Sequence, residues 1–225
     1  MPYCTRCGAK IPEDEEARFC PNCGAPIFLK TRMDAAYRKE EIKPSRAAGK
    51  MHTLLILTVL FLNILVTSAG ALSKVEDPQA QLIARDFKEM EKMLRTVGVQ
   101  LIFGNNMMYC LVMFIPFLGP ISGFYVLYST GRVLAALGYV LGLDPLLLFS
   151  SLLIYPHSWL EFISYSLAIS ESIRLSIYVL KYRLKRLKAE LPRTAKYISL
   201  CAALLLTGAL IEIALITLIP SLIPS

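Results

Sequence analysis

Cys4 and Cys7, then Cys20 and Cys23, form two CxxC pairs with twelve residues between them, and a glycine directly follows each pair, Gly8 and Gly24. A CxxC turn presents two thiolates to one side of a metal, and two such turns supply the tetrahedron of soft ligands that Zn2+ favours. The glycines let the backbone turn tightly around such a site. Four thiolates leave no position open for water or substrate, so the predicted zinc is structural, and a unit this small depends on it for folding. Two disulfides are the alternative, but they belong to an oxidising compartment, and the basic stretch after this head points to the cytosol. A redox CxxC pair lacks a thioredoxin-like βαβ context. Cys110 and Cys201 sit in apolar runs and read as small buried hydrophobes.

A second group of chemically capable residues lies in apolar sequence. His157 and Glu161 are four apart, hence on one helix face, with Pro156 marking where the helix begins. Glu212 falls at a similar expected depth, so two carboxylates and an imidazole could converge as a proton, metal or ligand site. The plainer alternative has His157 capping a re-entrant turn and Glu161 bonding exposed backbone N–H groups. Asn105 and Asn106 form a further polar pair, suited to interhelical hydrogen bonding before ligand binding. A charge at the centre of a bilayer costs at least ~2.5–3.5 kcal/mol, which sets what the remaining charges can do. Arg132 and Glu171 fall at similar depth and are predicted to form a structural ion pair. Arg174 lies roughly 9 Å from the end of its span and can snorkel. No hydrolase elbow, HExxH, P-loop or dinucleotide fingerprint occurs, so the chain is not expected to be an enzyme.

The elements that must position these groups follow from composition. Of 225 residues, 55% are hydrophobic and only 18% charged, against roughly a quarter in soluble domains. Lys and Arg concentrate in residues 6–50, 74–95 and 181–196, with only Arg132 and Arg174 elsewhere. The net charge of +7 therefore reads as topology-determining flanks facing anionic headgroups of membrane lipids, and nucleic acid is disfavoured. No signal peptide is expected, since the first apolar run starts near Met51 and stays in the chain as a span. The predicted fold is an all-α polytopic membrane protein with five transmembrane helices. Residues 1–29 form the zinc head, 30–50 a basic linker, and 51–220 the membrane domain. Spans of about 20 residues are placed at 51–72, 99–118, 120–142, 158–180 and 197–219. Residues 143–156 are too short to cross and read as a half-helix or re-entrant dip. Residues 78–97 read as an amphipathic helix, either on the outer membrane surface or packed over the bundle. Both basic flanks of the central spans should face the cytosol, giving a multi-pass protein of the cell membrane with its N-terminus cytoplasmic and its C-terminus outside.

The cysteine head resembles the small zinc-ribbon found at the ends of many prokaryotic membrane proteins. The stretch IFGNNMMYCLVMFIPFLGPISGFYVLYSTGRVLAALG, together with YPHSWLEFISYSLAIS, resembles the stage II sporulation protein M family of integral membrane proteins, and the added zinc head resembles that of archaeal members. The family usually has glycine after the histidine, where this chain has Ser158. The resemblance implies functional weight for His157, Glu161 and the Asn105–Asn106 pair. It further implies a non-enzymatic scaffold that recruits membrane or cytosolic proteins through the zinc-ribbon and the bundle. The alternative is a transport component, either a permease partner of an ATPase or a small ion-coupled carrier using His157, Glu161 and Glu212. A solvent-connected cavity reaching His157 would favour transport, and a dry, tightly packed bundle the scaffold. The small-residue face Ser166–Ala168–Ser170 is a candidate homodimer interface.

Overall fold

The computed structural model describes residues 3–4, 6–10, 19–25, 46–182 and 187–218. Most of the linker expected at 30–50, and the part of the second basic flank at 183–186, lie outside the described residues. The chain divides into two compact units, Met1–Gly49 and Lys50–Ser225.

In the first unit Tyr3 and Lys10 form an antiparallel bridge. Each CxxC turn closes in the same way: Gly8 N–H donates to the Cys4 carbonyl at 2.8 Å and Gly24 N–H to the Cys20 carbonyl at 2.9 Å. Both glycines have positive φ, 71° and 68°, a conformation that side chains penalise.

Seven helices are described: α1 (Arg46–Ala71), α2 (Asp77–Val97), α3 (Val99–Met113), α4 (Leu118–Leu141), α5 (Pro145–Leu152), α6 (Pro156–Tyr182) and α7 (Leu187–Leu218). α1, α4 and α7 are each long and apolar enough to cross a membrane, and α5 with α6 qualifies as a pair bent by 87°. Local chemistry accounts for the breaks. α2 opens on Asp77 and Pro78, residues suited to a first turn, and ends where Gly98 (φ 69°) donates to the Leu94 carbonyl. α4 ends at left-handed Gly142. Asp144 then caps α5 by accepting from the Leu146 N–H at 2.8 Å, with Pro145 in the first turn. At the α5–α6 elbow, Trp159 Nε1 donates to the Leu153 carbonyl at 2.8 Å.

α3 is shorter than the expected span at 99–118. The helix stops at Met113, and Phe117 takes a positive φ of 65°. That backbone is held by Ser176 Oγ on α6, which accepts the Phe117 N–H at 2.7 Å.

α2 packs over α4 and α3. Alanines make its closest approach: Ala80 and Ala84, one turn apart, are buried, while Leu82, Met90 and Met93 are exposed. The alanine face thus meets the bundle, while these apolar side chains stay outward.

α6 is the centre of the bundle. Residues 164–172 are buried without interruption, so the helix is sheathed on every side through this central stretch. Serines make the close approach tolerable, and several of their hydroxyls find partners. Ser166 Oγ donates to the Phe162 carbonyl and accepts from Asn63 Nδ2 on α1 at 2.9 Å. Ser172 Oγ donates to the Ile115 carbonyl at 2.6 Å. The proposed dimer face is overturned by this packing: Ser166, Ala168 and Ser170 are wholly buried within their own chain and present no surface to a second copy.

α1 meets α4 backbone to backbone at Gly70 and Gly131. A methyl on Gly131 would overlap the Thr67 carbonyl oxygen and stand 2.8 Å from the Gly70 Cα. Gly131→Ala is therefore expected to destabilise the bundle by about 1–3 kcal/mol, the usual cost of overpacking. Thermal unfolding in detergent, with exposed Gly104→Ala as control, checks this.

Candidate functional site

The four cysteine sulfurs lie within 4.8 Å of one another, with Cys4 Sγ to Cys23 Sγ at 3.7 Å and Cys7 Sγ to Cys20 Sγ at 3.6 Å. A tetrahedron with Zn–S of about 2.3 Å requires sulfur–sulfur edges of about 3.8 Å, so the residues fit the ion. The electrostatics agree. N–H groups of Arg6 and Cys7 point at Cys4 and hold its thiol down at about 6. The Ala25 N–H acts on Cys23 in the same sense, but the Cys7 thiol, burial and the thiols of Cys20 and Cys4 outweigh it and push Cys23 up to about 12. Four sulfurs this close cannot all ionise unaided, and a divalent cation removes that conflict. The head is a structural zinc centre.

The bundle contains a cavity of about 310 Å³ lined from α2, α3, α4, α5, α6 and α7. Glu161 and Ser158 enter it from α6, Asn105 and Asn106 from α3, and Glu212 from α7. Asn106 Nδ2 donates to Glu161 Oε1 at 2.6 Å, fixing that carboxylate across the α3–α6 boundary. Glu212 lies near enough for the two carboxylates to interact electrostatically. Four of the five polar residues singled out in the apolar sequence thus converge.

His157 does not. It is absent from the cavity lining; its ring stacks on Tyr155 with centroids 5.6 Å apart, and its backbone carbonyl faces Gly208 on α7. Residues four apart on a helix diverge by about 40°, and in the first turn of α6, beside the elbow, that offset suffices to aim the imidazole elsewhere. Three lining residues were missed. Tyr165, one turn beyond Glu161, is buried and lines the cavity with Tyr109 and Ser158. The Glu161–Tyr165 spacing was the available signal, obscured because tyrosine in an apolar run reads as core.

The expected Arg132–Glu171 pair does not form. Gly119 of α4 abuts Ser172 and Gly123 abuts Ile169, which places Glu171 beside the start of α4. Arg132 lies thirteen residues beyond Gly119, roughly 20 Å along the helix. It instead donates to Gln79 Oε1 on α2 at 3.2 Å. Nor does Arg174 snorkel away. It grips Glu171 with Nε (2.8 Å) and Nη2 (2.6 Å), and Glu190 of α7 with Nη1 at 2.6 Å. Thr194 Oγ1 donates to the same Glu171 carboxylate at 3.0 Å, and His52 Nε2 approaches it to 3.6 Å. A wholly buried acid thus ties α1, α6 and α7 together at the opposite end of α6 from the cavity. His52, two residues before the densest apolar run, Glu190 and Thr194 were the missed members.

Comparison with known proteins matches residues 3–27 to the zinc-ribbon domain and residues 51–217 to Stage II sporulation protein M. No curated protein and no solved structure matches the chain. The second match takes in every helix that lines the cavity, the α5–α6 elbow and the acid-centred tie between α1, α6 and α7. A multi-pass helical bundle behind a four-cysteine zinc head, the chain belongs to the stage II sporulation protein M family.

Proposed function

We propose that this chain is the membrane component of a transport system, with the zinc-ribbon serving as a cytosolic docking module. The observation that carries this reading is the cavity of about 310 Å³ with Glu161, Glu212 and the two asparagines inside the bundle. Polar groups set in a space of that size within a membrane domain mark a path or a holding site for a polar solute. In this reading the chain crosses five times, with α1, α3, α4, α6 and α7 as the crossings and α5 as the re-entrant arm. The N-terminus is cytoplasmic and the C-terminus outside. α3, at fifteen residues, extends only about 22 Å, and the bilayer thins to meet it.

A second reading is a non-enzymatic scaffold that recruits partner proteins. It is favoured by the zinc head, whose four protein ligands leave the metal no open position and whose use is to present a surface.

One experiment separates the two. Tagged full-length chain is captured from its native membranes in mild detergent, and its co-purifying proteins are quantified. Recovery of a stoichiometric ATPase subunit supports transport. Stoichiometric recovery of non-ATPase partners only, with no solute flux in proteoliposomes, supports the scaffold.

A further inference from the structure

Two acids and no base line the cavity among the described residues. Glu161 uses Oε1 to accept from Asn106, and no described residue bonds its second oxygen. Ser158 lines the same space; the residue is 3% exposed, and its hydroxyl has no hydrogen-bond partner among the described residues. Buried polar groups are rarely left unsatisfied without a reason, and two half-buried carboxylates that line one cavity and interact electrostatically favour a cation between them.

Size and donor chemistry select the kind of cation. About 310 Å³ is the share of roughly ten waters at ~30 Å³ each, far more than a bare metal ion fills. Apart from the cysteine head, no three His, Cys, Asp or Glu side chains converge among the described residues, too few donors for a dedicated metal cage. The remaining lining suits an organic cation: Tyr109 and Tyr165 offer aromatic surface, and Leu101, Val126 and Leu152 apolar surface. Aromatic side chains attract ammonium groups.

We propose that this cavity binds a small organic ammonium ion, with Glu161 and Glu212 as counter-charges, Ser158 as an added acceptor and the two tyrosines against its apolar body. The proposal rests on the transport reading and names its solute class.

The test uses full-length protein in phospholipid nanodiscs and titration calorimetry with n-butylammonium. Butyrate and n-butanol serve as anionic and neutral isosteres, and Mn2+ as a metal probe. Saturable n-butylammonium binding is expected, with neither isostere binding. Glu161→Gln and Glu212→Gln, which keep side-chain size, are each expected to weaken it at least tenfold, with an unchanged helical circular dichroism spectrum. Absence of saturable binding to folded protein, or equal binding by both variants, overturns the proposal. Binding of Mn2+ alone, lost in both variants, also overturns the ammonium assignment but leaves a cation-handling cavity and the transport reading standing. Accessibility is read from Ser158→Cys labelled by a small cationic methanethiosulfonate. No labelling together with no binding removes both the proposal and the reading beneath it.

Discussion

Purified Cys20→Ser protein is expected to carry no zinc, where the unaltered chain carries a single ion. Cys20 is the least exposed of the four ligands, and its sulfur lies 3.6 Å from that of Cys7. A serine hydroxyl cannot replace a thiolate for zinc, and three remaining sulfurs leave the ion open to water and to competing chelators. The local fold depends on the ion because, among the described residues of this unit, the buried cluster consists of Cys4, Cys20 and Ala25, with Ala9 packed against it. Loss of metal should therefore free the backbone at the already exposed Arg6 and Lys10 to enter trypsin's active site, while the membrane domain keeps its helical signal. Metal analysis by mass spectrometry and limited proteolysis of the full chain check this. Full zinc occupancy in Cys20→Ser, or trypsin resistance without zinc, would sink the structural assignment.

The largest effect in the bundle is expected at Glu171. Its carboxylate is wholly buried and is met by Arg174, Thr194 and His52. Removing one member of a buried charge pair strands the other, at a cost of about 3–5 kcal/mol. Glu171→Leu is expected in that range, measured by unfolding in mixed detergent micelles. Glu171→Gln should cost less, since its amide oxygen still accepts from Thr194. The double variant Glu171→Leu, Arg174→Met should recover most of the loss, because an apolar pair of similar volume often replaces a buried ion pair without penalty. Glu190, released from Arg174, is partly exposed and can be hydrated. A double variant as unstable as Glu171→Leu would show that the stranded arginine is not the cause.

These two sites differ in how far the sequence discloses them. The zinc centre is written locally: ligand type, spacing and turn glycines all fall within residues 4–24. The half-helix at 145–152 is legible for a like reason, since Asp144, Pro145 and Pro156 bracket it. The gathering of Glu161, Glu212, Asn105 and Asn106 could be anticipated because depth along a helix follows from residue count. The Arg132–Glu171 expectation fails because depth gives neither the register between neighbouring helices nor the direction a side chain points. Gly119 and Gly123 set that register by letting Ser172 and Ile169 press against α4, and nothing in the alphabet announces which glycine meets which partner. His157 fails on direction alone. Asn63, buried against Ser166, escaped notice because a single amide in the leucine-rich run of α1 carries no spacing signal.

The sheathing of the middle of α6, residues 164–172, bears on how the protein is made. A stretch walled in by its own chain is released from the demand for apolarity, and α6 is apolar enough for a crossing only when joined to α5. On its own, with Glu161, Glu171 and Arg174 aboard, it would partition poorly from the translocon into lipid. The Arg174–Glu190 pair leads to the expectation that α6 waits for α7 and enters the bilayer with it as a hairpin. Ribosomes stalled before residue 190 should accordingly leave α6 uninserted.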